Sequence, residues 1–211
     1  MNPLQKSARI AGLLYLLQIP LGVFGLIYVP KTLVVIGDTA ATASKILANE
    51  TMFRLSMVSS ILTALLTVFT ALMLYKVLEG VNKNAAKLMV LFSVMVAPIS
   101  MLNELNHAGV LLSINNPDLV QLFLDLHKYG VQIAGLFFGL WLLPMGYLVY
   151  KSSFIPKVIG IFLMITCLGY LFDFGAFFLF PNLGVVVSEY TWMGEAMMVL
   201  WLLVKGVKTV K

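Results

Sequence analysis

The chain has 211 residues, of which 61% are hydrophobic and only 11% are charged, and its mean hydropathy is +0.98. A soluble domain carries about 25% charged residues, so this composition excludes an ordinary soluble protein and indicates that most side chains face lipid. The net charge of +5 does not predict a nucleic-acid partner, because the lysines collect at the ends of apolar segments.

Six apolar segments are long enough to cross a bilayer as α-helices, which takes roughly 20 residues each. In chain order, the predicted spans are residues 10–29, 53–78, 88–114, 118–150, 157–180 and 185–204. The connections between them are short, so residues 1–211 are predicted to form one transmembrane domain, an all-α bundle of six helices.

Three details qualify the spans. Pro20 is expected to kink the first one, and Asp38 or Thr39 is expected to cap a short helix that is too polar to cross the membrane. The fourth helix would be about 50 Å long, which exceeds the hydrocarbon layer of roughly 30 Å. Either its first turns project from the membrane or Gly130 breaks it.

Lysine and arginine are distributed unevenly around the spans. With a cytoplasmic N-terminus, ten of the 14 lie at cytoplasmic ends and the other four at outer ends. The cytoplasmic ten are Lys6, Arg9, Lys76, Lys83, Lys87, Lys151, Lys157, Lys205, Lys208 and Lys211, and the outer four are Lys31, Lys45, Arg54 and Lys128. This positive-inside bias predicts that both termini are cytoplasmic.

The acidic residues, by contrast, collect toward the outer side. Counting 1.5 Å per residue puts Glu104 and Asp173 about 24 Å from the cytoplasmic ends of their helices, and Glu195 about 15 Å. A charge inside a span costs several kcal/mol unless it is paired or hydrated, so we expect these groups to face one another in an outward-facing polar pocket. The candidate acid–base residues are Glu104, His107, Asp173 and Glu195, and the candidate substrate-binding residues are Gln18, Arg54, Asn103, Asn106 and Asp125.

The third predicted span carries the densest polar group. Glu104 and His107 have the E-x-x-H spacing, which lets a carboxylate and an imidazole reach one metal ion. His127 lies on an apolar face of the fourth helix, which is typical of a satisfied core histidine, but this face could also look toward Glu104 and His107. These three residues are candidate ligands for a divalent metal, zinc or iron. The alternative is a hydrogen-bonded network with Arg54 as the counter-ion.

Partners for the other acids can also be predicted. Asp125 and Lys128 fall on one polar stripe of the fourth helix and are expected to pair locally. Asp173 has no adjacent cation, so it is expected either to pair with Arg54 or to remain protonated. Glu195 is expected to bond to Gln18 or to a hydroxyl group of the second span, unless it carries protons in a transport cycle.

Five segments also occur in a recognisable order along the whole chain. They are residues 8–16 (ARIAGLLYL), 103–106 (NELN), 123–130 (FLDLHKYG), 139–147 (GLWLLPMGY) and 169–173 (GYLFD). Together they resemble the family filed as domain of unknown function 4386. The resemblance implies a multi-pass protein of the bacterial cytoplasmic (inner) membrane with about this length and number of spans, and it implies no activity.

Three functions remain open from the sequence. The first is a membrane-embedded enzyme, such as a metal-assisted hydrolase acting on a lipid or small amphiphile, with Arg54 binding an anionic part of it. The second is a proton-coupled transporter of small solutes in which Glu195 and Asp173 titrate. The third is a non-catalytic structural or sensory membrane protein whose polar residues hold the helices together.

Overall fold

The computed structural model describes residues 3–207, and every regular element in this range is a helix. In chain order the helices are α1 (Pro3–Leu33), α2 (Thr39–Ala48), α3 (Glu50–Leu78), α4 (Lys83–Leu112), α5 (Pro117–Lys151), α6 (Lys157–Leu179), α7 (Ser188–Thr191) and α8 (Met193–Val204). The predicted all-α fold is therefore confirmed for the described residues. Lys208 and Lys211, which contribute to the predicted orientation, lie outside them.

Five helices are long and apolar enough to cross a membrane: α1, α3, α4, α5 and α6, with 31, 29, 30, 35 and 23 residues. Each has an 18-residue window of mean hydropathy between 1.7 and 2.1. Leucine, valine and phenylalanine side chains cover the outside of these helices, which is the surface that lipid requires. The chain is thus a multi-pass helical membrane protein.

The sixth predicted segment differs from the prediction of one helix over residues 185–204. The regular helix α8 has only 12 residues, or about 18 Å at 1.5 Å per residue, and residues 185–187 are not helical. Two features stop the helix from starting earlier. Pro181 favours a turn, and Gly184 has a φ of +62°, a conformation that residues other than glycine rarely adopt.

Of the caps and breaks predicted for the other helices, one is confirmed and one is wrong. The Asp38 side chain accepts a hydrogen bond from the Ala41 amide at 2.8 Å and caps α2, as expected. Gly130 lies inside continuous helix, so of the two alternatives for α5, a break at that residue is wrong. The helix is interrupted at Trp141 instead, three residues before Pro144, which cannot supply an amide proton.

The two ends of the described chain lie side by side. The Gln5 side chain donates to the Lys205 carbonyl at 3.1 Å and accepts from the Val207 amide at 2.8 Å. The Arg9 guanidinium donates to the carbonyls of Leu203 and Val204, where a cation also complements the C-terminal end of α8. The start of α1 and the end of α8 are therefore at the same end of the molecule.

Two hydrophobic clusters form the interior. The larger one packs α1, α3, α4, α5, α6 and α8 around buried residues such as Tyr15, Trp141 and Leu163. The smaller one lies at the other end of the molecule and includes α2, with Ile46 and Phe53 among its buried members. The polar residues of the candidate site lie beside this smaller cluster.

Candidate metal centre

Three potential metal ligands meet between α4 and α5. The Nδ1 atom of His107 lies 2.8 Å from one carboxylate oxygen of Glu104, and the Nε2 atom of His127 lies 3.5 Å from the other. One ligand atom of each residue lies within 4.8 Å of the other two. The two imidazole rings stack, with centroids 3.6 Å apart and planes inclined by 22°. All three residues are buried.

The local sequence explains how the three side chains converge. Glu104 and His107 are one helical turn apart on α4, so they share the face that looks toward α5. α5 begins at Pro117 after a tight connection capped by Asn116, whose side chain accepts from the Leu119 amide at 3.3 Å. The two helices therefore pack as antiparallel neighbours. His127 faces Glu104 and His107, so of the two interpretations drawn from the sequence, the one that joins His127 to these residues is the one seen in the structure.

The expected counter-ion is absent from this site. Arg54 pairs with Glu50 at 2.7 Å, one turn earlier on α3, and its side chain is 60% exposed. The predictions that Arg54 neutralises Glu104 or Asp173 are therefore wrong. A local i,i+4 pair on an exposed helical face satisfies the guanidinium group without desolvating it. Among the described residues, the recorded ionic partners of Glu104 are the two histidines.

The donor set fits a transition-metal ion. Tetrahedral zinc takes nitrogen and oxygen ligands at roughly 2.0–2.2 Å, which separates the ligand atoms by about 3.3 Å. The nitrogen–oxygen distances of 2.8 and 3.5 Å, each to a different oxygen of Glu104, lie on either side of that separation. The stacked imidazole rings would have to turn before both nitrogens face one ion. One carboxylate and two imidazoles can hold zinc or iron and leave a coordination position for water or substrate.

Two predicted binding residues adjoin these ligands but bond to protein groups. The Asn103 side-chain amide donates to the His127 carbonyl at 3.0 Å, and the Asn106 side-chain amide donates to the Asn103 side-chain oxygen at 2.9 Å. Phe53 packs edge-on against the His107 ring, with centroids 4.9 Å apart. The three ligands are therefore held by polar contacts on one side and by an aromatic ring on another.

The remaining predicted site residues are satisfied elsewhere. Asp173 accepts the backbone amides of Val187 and Ser188 at 2.6 and 2.9 Å. Glu195 accepts the Tyr15 hydroxyl at 2.5 Å, rather than a bond from Gln18. Each of these two acids therefore has its own partner, and among the described residues neither is paired with Glu104, His107 or His127.

Gln18 and Asp125 also have partners of their own. The Gln18 side chain donates to Thr70 at 2.7 Å and accepts from Thr67 at 2.8 Å, both on α3. The Asp125 side chain is 44% exposed and pairs with Lys128 at 2.8 Å, as predicted. The sequence interpretation missed Tyr15, because a tyrosine in an apolar span is usually an interfacial anchor or a packing residue.

The fold thus defines a multi-pass helical membrane protein in which three buried side chains have the arrangement to hold a metal ion. The sequence profile described as Domain of unknown function (DUF4386) matches residues 10–206, and the chain belongs to this family. It is also 33% identical over 153 residues to an uncharacterized protein from Archaeoglobus fulgidus (strain ATCC 49558 / DSM 4304 / JCM 9628 / NBRC 100126 / VC-16), a match that covers 72% of this chain and 85% of that one. No solved structure gave a significant match.

Proposed function

We propose that this protein binds one transition-metal ion, zinc or iron, inside the membrane through Glu104, His107 and His127. The convergence of these three buried side chains from two helices carries the proposal. A buried carboxylate is costly unless it is neutralised, and the arginine expected to do so is engaged elsewhere. A divalent cation would satisfy all three residues at once.

We further propose six membrane crossings with both termini in the cytoplasm. The contacts of Gln5 and Arg9 with the end of α8 support an even number of crossings. Five long helices would leave the chain on the side opposite its start, so residues 180–192, which include the short helix α7, would complete the return together with α8. The excess of lysines at the cytoplasmic ends gives the orientation, and the bacterial inner membrane is the proposed location.

In this orientation, the metal would lie toward the outer side of the membrane. Glu104 is about 24 Å from the cytoplasmic start of the apolar part of its helix. Three protein ligands with a free position are typical of catalytic rather than structural zinc, and bound water would then be the nucleophile. This supports metal-assisted hydrolysis of a lipid or small amphiphile as the activity.

A second candidate function is proton-coupled transport of a small solute. Residues 180–187 form non-helical backbone next to Asp173, and such breaks in transporters line substrate paths at membrane depth. Glu195, bonded to Tyr15, would be the second proton-binding group. A purely structural role is the third candidate, in which the Glu104–His107–His127 contacts simply hold α4 against α5.

Elemental analysis separates these candidates. The protein would be purified in detergent through a tag that does not use metal affinity, exchanged with zinc or iron, and freed of loose metal by gel filtration. We expect about one ion per chain in the wild type and a clearly lower content after gel filtration in His107→Ala and His127→Ala, because each variant keeps only two of the three ligands. Asp125→Ala, which removes an exposed carboxylate from α5, is the matched control and should keep its ion. A metal-free wild type would reject the metal site and leave transport or a structural role.

A further inference from the structure

The residue that sets the position of His127 lies on the neighbouring helix. We propose that Asn103 is a positioning residue for the metal centre: it holds α5 in the register that brings His127 to Glu104 and His107. This inference rests on the proposed function, because it concerns the ligand geometry of that same site. It assigns Asn103 an indirect role, in place of the direct substrate contact expected from the sequence.

The hydrogen bonds of Asn103 cross from one helix to the other. Its side-chain nitrogen donates to the His127 backbone carbonyl at 3.0 Å, so it contacts the residue that supplies the third ligand. Its side-chain oxygen accepts from Asn106 at 2.9 Å, which fixes the orientation of the amide. Both ends of the amide are therefore engaged, and Asn103 is not itself available as a ligand.

The packing around Asn103 shows that its place on α5 is specific. A Cβ atom at Gly130 would lie only 1.9 Å from the Asn103 side-chain oxygen and 2.2 Å from its Cγ atom. The Asn103 side chain thus occupies the space that a side chain at position 130 would fill. A larger residue at position 130 would force the Asn103 side chain out of this place.

A second contact fixes the other side of the site. A Cβ atom at Gly109 would lie 2.6 Å from the Phe123 ring, so the ring of Phe123 on α5 fits against the bare backbone of α4. Asn103 with Gly130 and Phe123 with Gly109 therefore lie on either side of the Glu104–His107–His127 group. The two contacts differ in kind, because only the Asn103 contact is a hydrogen bond to a ligand residue.

Removal of the amide should therefore affect ligation more than folding. Without the hydrogen bond to its carbonyl, His127 can move away from Glu104. Its Nε2 atom already lies 3.5 Å from the Glu104 carboxylate, farther than the Nδ1 atom of His107 at 2.8 Å. The pair of Glu104 and His107 belongs to a single helix and would stay together. An ion would then keep these two ligands and complete its shell with water.

Cobalt(II) in place of zinc reports this change directly, because its visible spectrum depends on the number and type of ligands. We would compare wild-type protein with Asn103→Ala, His127→Ala and the control Asn84→Ala, which removes an exposed asparagine near the start of α4. The expected result is that the Asn103→Ala spectrum loses intensity and matches that of His127→Ala. The Asn84→Ala spectrum should match that of the wild type.

The outcomes separate this inference from the proposed function. A wild-type spectrum in folded Asn103→Ala, with only a lower melting temperature, would show a merely structural role and overturn the inference while the metal site stands. If Asn103→Ala does not fold, Asn106→Ala takes its place, since it frees the Asn103 amide without removing it. An unchanged cobalt spectrum in Asn106→Ala would then overturn the inference. Wild-type protein that takes up no cobalt would reject the metal site itself, and the inference with it.

Discussion

The Asp173 carboxylate holds the irregular start of the last membrane segment against α6. It is buried, with 8% of its surface exposed, and accepts the amides of Val187 and Ser188 at 2.6 and 2.9 Å. A hydrogen bond to a charged group contributes about 1.5–3 kcal/mol, so the two bonds together contribute about 3–6 kcal/mol. Both amides belong to half-buried residues and regain some hydration when released, which favours the lower end of this range.

We therefore expect Asp173→Ala to lower the free energy of unfolding by about 3 kcal/mol. Asp173→Asn keeps one oxygen acceptor without its charge and should lose about half as much. The measurement is reversible denaturation in mixed micelles, followed by circular dichroism. Asp125→Ala is the matched control, because the exposed Asp125–Lys128 pair contributes less than about 1 kcal/mol. Equal losses in Asp173→Ala and Asp125→Ala would refute the assigned role of Asp173 as an anchor.

Two further predictions concern packing and topology. A Cβ atom at Gly160 would lie 2.6 Å from the Gly146 carbonyl and 2.7 Å from the Tyr150 amide. Since backbone atoms cannot rotate away, Gly160→Ala should lower the free energy of unfolding by about 1–3 kcal/mol. Gly135→Ala, with open space around its Cβ, is the control and should be neutral or slightly stabilising in the same assay. Single cysteines at the exposed positions 6 and 205 in a Cys167→Ala background should both react with a membrane-impermeant thiol reagent only from the cytoplasmic side. Labelling of the two from opposite sides would contradict the six crossings.

Local sequence patterns were sufficient to predict most of the helices. Hydropathy identifies α1, α3, α4, α5 and α6, because each is long and apolar along its whole length. It fails for the last segment, where residues 185–187 are as apolar as a span but are not helical. The amides of Val187 and Ser188 bond to Asp173 on α6, and hydropathy carries no information about such a contact.

The candidate site was predictable only where its residues belong to one helix. The Glu104–His107 pair follows from helical spacing, because both residues belong to α4. The approach of His127 depends on the packing of α5 against α4, so the sequence offered it only as one of two interpretations. The assignment of Arg54 as counter-ion failed for a related reason: the depth of a residue in the membrane does not say which way its side chain points, and Glu50 lay one turn away on the same helix.

The central claim is that Glu104, His107 and His127 together bind one metal ion, and X-ray absorption at the zinc edge of the zinc-loaded protein tests it most directly. We predict two imidazole nitrogens and one carboxylate oxygen at about 2.0–2.2 Å, with one imidazole fewer in His127→Ala. A shell of water or buffer oxygens alone, unchanged in His107→Ala and His127→Ala, would contradict the account.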